Sequence, residues 1–160
     1  MKLGLAIEEL HRSENHLARV LLEVSDRHET DHEVFYVARD IAGWSSRHVT
    51  ELARVGRDFG LDLDPEPAGE PGLLAKLQQT TADLLGRRSE PGLLLLADLR
   101  HVHREAAGVS LDWELLAQAA QGARKRELLE LAERLHPDTL RQMRWANAKL
   151  KESATQALVS

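Results

Sequence analysis

The sequence predicts an all-α protein, an antiparallel four-helix bundle, and three observations carry that expectation. Apolar residues recur at three- and four-residue spacing along four long segments, the period of one helix face. Leu, Ala, Glu and Arg dominate, and these residues lose little rotamer freedom in a helix. Val, Ile, Tyr and Phe nowhere alternate with polar residues as a half-buried strand requires. A chain of 160 residues suits one domain with a sizeable core.

The first helix is expected over about residues 3–28, with Leu3, Ile7, Leu10, Leu17, Leu21 and Val24 on its buried face. Thr30 and Glu33 have the spacing of a capping box, which would start the second helix over about 31–59. So short a connection makes the two helices antiparallel neighbours. The second stripe is Val34, Val37, Ile41, Trp44, His48, Leu52, Val55 and Phe59, and Gly60 suits the left-handed position that ends a helix.

Prolines and glycines then mark residues 60–72 as a linker, followed by a short helix at about 73–85. The sequence Glu70-Pro71-Gly72-Leu73-Leu74 recurs as Glu90-Pro91-Gly92-Leu93-Leu94, two similar helix starts with proline in the first turn. The third long helix spans about 91–120, through Leu95, Leu99, Val102, Ala106, Val109, Trp113, Leu116 and Ala120. After a break near Gln121-Gly122, the fourth spans about 124–152, through Leu128, Leu131, Leu135, Met143, Ala146 and Leu150. Pro137 lies inside it and is expected to kink or split it.

Composition narrows the function classes. Acidic residues outnumber basic ones 26 to 21, and the basic residues are interspersed, so no stripe is laid out for a phosphate backbone and nucleic acid is not an expected partner. The chain has no cysteine, which removes thiolate ligands and cysteine nucleophiles and fits a cytoplasmic protein. Glu8 interrupts the first apolar run, and Leu93 to Ala97 is far shorter than the ~20 residues of a membrane span, so neither a signal-peptide core nor a membrane partner is expected.

The connections run short, long, short. About 30 residues separate the two hairpins. A helix of about 28 residues is about 42 Å long, and that connection can travel its length. In helix order and connection lengths the chain resembles the ferritin-like superfamily, whose bundles have one long crossover. The resemblance implies inward-facing metal ligands: one Glu from each of two helices and Glu-x-x-His from each of the other two. Matched to this chain, the candidates are Glu14, His48, Glu51, Glu105, Glu133 and His136, with Fe or Mn as the implied ions.

Glu14 and His48 each interrupt an apolar stripe, and counting from the Thr30 turn they fall at the same height. Glu133-Arg134-Leu135-His136 is a literal Glu-x-x-His, but His48-Val49-Thr50-Glu51 reverses the order and Glu8-Glu9-Leu10-His11 sits near a helix end. The alternative for Glu14 and His48 is a buried polar pair that fixes helix register, and this is the reading the incomplete ligand pattern favours. Asp98, His101, His103 and Glu105 read as surface ion pairs. His11, His16, His28 and His32 read as helix-surface or turn residues. Trp44, Trp113 and Trp145 read as core packing with locally bonded indole N–H groups. No phosphate-binding glycine loop or nucleophile elbow appears.

The resulting expectation is a non-catalytic bundle with no cofactor, acting by self-association, as in a homodimer, or by binding a protein partner; the alternative is a ferritin-like di-metal protein or oxidase. A sensor with an apolar pocket between helices is a third class.

Overall fold

A computed structural model describes residues 2–67 and 90–160. The expected short helix at 73–85, the first Glu-Pro-Gly-Leu-Leu copy and part of the 60–72 linker lie outside these residues. Four long helices make up nearly all of the rest: α1 (Leu3–Arg27), α2 (His32–Gly56), α3 (Pro91–Gly122) and α4 (Arg126–Val159). The described residues contain no strand.

The first apolar stripe is buried as its period requires, with Ile7, Leu10, Leu17, Leu21 and Val24 wholly inside. The cap of α2 differs from expectation. Asp31, not Thr30, caps the helix, its side chain accepting the Val34 N–H at 3.2 Å. Thr30 is exposed in the turn, and Glu33 is drawn to Lys149 instead of closing a capping box. The α-helix ends at Gly56, and one 3-10 turn (Arg57–Phe59) carries the chain to Gly60, whose φ of +75° is the expected left-handed stop.

Pro91 occupies the first turn of α3, where its missing N–H costs nothing. Helix α3 closes at Gly122. The turn to α4 puts Arg124 at φ +55°, a conformation that costs a non-glycine residue about 1–2 kcal/mol. Pro137 does not split helix α4, which is continuous through it and on to Val159. The carbonyl that loses its partner belongs to Glu133, an exposed residue.

Side-chain contacts fix the helix directions. Ser13 on α1 meets Asp112 on α3, and Arg27 meets Asp98. The two contacts lie fourteen residues apart on both helices but run in opposite order, so α1 and α3 are antiparallel. The pairs His48–Asp138 and Gln142–Ser45 make α2 and α4 antiparallel as well. Hence α2 and α3 point the same way, and the chain enters α3 at the end opposite to where it left α2. Residues 61–67 begin that return. Leu61 and Leu63 lie against Gly56, where a Cβ would stand 3.2 Å from Leu63, and Leu61 also borders Gly4. Further on, the Asp64 carbonyl accepts the His11 Nε2–H at 2.8 Å and the Pro65 carbonyl accepts the Thr50 hydroxyl at 2.9 Å. The segment therefore climbs the outside of the α1–α2 hairpin.

Candidate functional site

At mid-height the apolar core is interrupted by a polar chain with one residue from each helix. The Glu14 Oε1 atom on α1 accepts the His48 Nδ1–H of α2 at 2.7 Å and the Trp113 indole N–H of α3 at 2.8 Å. The other imidazole nitrogen, Nε2, donates to Asp138 Oδ2 of α4 at 3.1 Å. The imidazole also stands edge-on to the Trp113 ring, centroids 5.7 Å apart. Glu14, His48 and Trp113 are fully buried, whereas Asp138 is half-buried and accepts Arg141 on its outer oxygen.

With a carboxylate facing each ring nitrogen, His48 carries both protons. Burial alone would lower its pKa, but the hydrogen bonds and charges of Glu14 and then Asp138 outweigh burial and hold it above the usual 6.5. The arrangement is a buried imidazolium clamped between two carboxylates. Loss of His48 would leave two carboxylates facing each other in the core, and loss of Glu14 would leave the buried imidazolium with Asp138 alone. Glu14 Oε2 is buried without a hydrogen-bond partner, so the cluster is charge-paired but not saturated.

Of the six residues matched to the ferritin-like pattern, the structure joins Glu14 and His48, at the common height the sequence indicates. The other four are placed elsewhere. Glu51 faces Arg54 and Arg134 at the surface. Glu133 is exposed. His136 bonds the Ser110 hydroxyl at 2.7 Å, and Glu105 lies between His16 and His101. Glu14 and Asp138 sit on opposite nitrogens of one imidazole, which places a ring rather than an ion between them. This donor set does not fit a dinuclear Fe or Mn centre.

Asp138 and Trp113 were not recognisable as partners of this pair from sequence alone. A signal for Asp138 exists: between Leu135 and Met143 the inner face of α4 carries Thr139 and Gln142, both buried, so the stripe turns polar at the height of Glu14 and His48. The Trp113 N–H bonds across the bundle, not locally as expected. Nothing in its flanking sequence announces that.

A second buried ion cluster corrects two surface assignments. Asp98 and His28 are inside. The Asp98 carboxylate accepts Arg27 in a two-pronged pair at 3.0 Å and His28 Nε2–H at 2.7 Å. Burial alone would raise the Asp98 pKa, but the hydrogen bonds from His28 and Arg27 hold it below the ordinary 3.8. Beside the mid-height cluster, Asp112, which accepts the Ser13 hydroxyl at 2.8 Å, is pushed up by burial and by the Glu9 and Glu14 charges.

No family model matches this chain, and neither a characterised protein nor a solved structure matches it significantly. Among the described residues no helix is long and apolar enough to cross a membrane.

Proposed function

We propose that this protein is a non-catalytic assembly module that pairs with a second copy of itself through the outward face of α3. The observation that carries this reading is an apolar strip that no described residue covers. Leu111 and Leu115 lie four residues apart on the face opposite the buried stripe and are 59% and 67% exposed. Gly108 lies one turn before them, and a Cβ built there meets nothing within 4 Å. Glycine inside a helix costs about 1 kcal/mol relative to alanine, and no described residue comes close enough to require it there. A second helix crossing at Gly108 gains the closest backbone approach.

The interior supports the same reading. Its polar groups point at one another, and the Glu14 and His48 side chains have no exposed surface for a substrate to reach.

Light scattering on size-exclusion fractions tests the proposal. The wild type is expected to run as a dimer at high micromolar concentration, and Leu111→Glu with Leu115→Glu to run as a monomer with unchanged helix content. Gly108→Ala should raise the chain's own helix stability while weakening the pair. A wild-type protein that stays monomeric throughout that range rejects the reading.

A further inference from the structure

A second cluster lies on the seam between α1 and α3, away from the buried imidazolium. His101 and Glu105 are four residues apart on α3 and share one face. The antiparallel packing of α1 brings His16 to the same height. Among the described residues, these are the only three His, Asp or Glu side chains whose ligand atoms lie mutually close, all within 4.8 Å of one another. His16 Nε2 stands 3.4 Å from Glu105 Oε2, and His101 Nδ1 stands 3.8 Å from Glu105 Oε1.

Those separations identify the chemistry. Strong charge-assisted N–H···O bonds are about 2.7–2.9 Å long, so neither contact is one. Around a zinc ion with bonds of about 2.0–2.2 Å, tetrahedral ligands stand about 3.3–3.6 Å from each other. Two contacts, each to a different Glu105 oxygen, are near that spacing before any ion is added, and the three ligand atoms as a set lie within 4.8 Å of one another. Two imidazoles and one carboxylate are also the donor set of zinc sites that keep a fourth position open. Space exists beside it: His16 and Glu105 line a depression of about 620 Å³, together with Glu8, Glu9, Arg12 and Arg19. The paired signs of those four leave the Glu105 carboxylate as the local charge that favours a cation.

We propose that His16, His101 and Glu105 form a zinc site that ties α1 to α3, with its fourth position open to water or a small anion. Exposure of the two histidines gives the ion a path from solvent, and only rotamer adjustment of three surface side chains is needed to close the first shell. The ion then acts as a cross-link between helices from different hairpins.

The test uses tag-free, chelator-treated full-length protein titrated calorimetrically with zinc chloride, and with cobalt as a visible probe of geometry. One ion per chain and the intense visible bands of tetrahedral cobalt are expected. His16→Ala, His101→Ala and Glu105→Gln should each weaken binding at least tenfold, while His103→Ala, on the same helix but outside the cluster, leaves it unchanged. These are surface substitutions, and circular dichroism confirms that each variant is folded before titration. Zinc should also raise the melting temperature of wild type but not of His16→Ala. Absence of saturable binding, or wild-type affinity in His16→Ala and Glu105→Gln, overturns the proposal.

Discussion

The two seams that join the hairpins are built differently. Along α1–α3 the backbones approach closely over much of their length; the Glu14–Trp113 bond crosses the seam at mid-height, and Asp98–Arg27–His28 and Ser13–Asp112 flank it. Along α2–α4 close backbone approaches are far fewer, and long polar side chains bridge the gap. Gln142 Nε2 donates to the Ile41 carbonyl at 2.8 Å and to the Ser45 hydroxyl at 2.9 Å. His48 reaches Asp138, and the Lys149 ammonium, largely buried, donates to Glu33 at 2.8 Å. The difference is one of mechanism. An apolar seam is held by contact area and tolerates small shifts, whereas a polar seam is held by a few directional bonds and fixes the relative height of two helices.

The largest effect should come from the group that joins both seams. Glu14→Ala leaves the His48 imidazolium half-paired and the Trp113 N–H without its acceptor, both in the core. A loss of about 3–5 kcal/mol is expected in denaturant unfolding, the range for breaking a buried ion pair from one side. Retention of wild-type stability would mean that the cluster is solvated.

An intermediate effect separates the seams by pH. The raised pKa of His48 makes its contribution fully present below 6.5, and that contribution is lost as pH rises through the folded value. The lowered pKa of Asp98 works in the opposite sense, with stability present above 3.8 and lost as pH falls through the folded value. Stability of the wild type should therefore fall at both limbs. His48→Gln should flatten the upper limb alone and Asp98→Asn the lower limb alone, with Asp98→Asn costing about 1.5–3 kcal/mol at neutral pH. Melting temperatures across pH decide this, and identical profiles for the two variants would show that the clusters are not independent.

The smallest effect tests whether the α2–α4 seam rests on single bonds. Gln142→Leu removes both bonds to α2 and leaves the Ser45 hydroxyl unpaired, while the unpartnered Gln142 Oε1 is removed as well. These partly offset, so a net loss of about 1–2 kcal/mol is expected. Hydrogen exchange should then quicken in α2 and α4 before α1 and α3.

The helices themselves were legible because their information is local. Periodicity, Gly60 and the Glu90-Pro91-Gly92 start place the helix boundaries within about three residues, except that α4 runs seven residues past its expected end to Val159. The exceptions are equally local in cause: Asp31 competes with Thr30 as a cap, and Pro137 is tolerated because the freed carbonyl lies at an exposed position. The Glu14–His48 pair was legible too, since each residue breaks an apolar stripe and the short turn fixes their common height.

Their partners were not. Asp138, Trp113 and the burial of Asp98 depend on how α3 and α4 dock against the first hairpin. The same holds for His16, an ordinary surface histidine until antiparallel packing sets it beside His101 and Glu105. The sequence alone determined which faces of which helices had to be hidden, because burial is decided residue by residue along a fixed period. Only the tertiary structure decided which charges meet, because a side chain on one helix gains its partner from the height and direction of another.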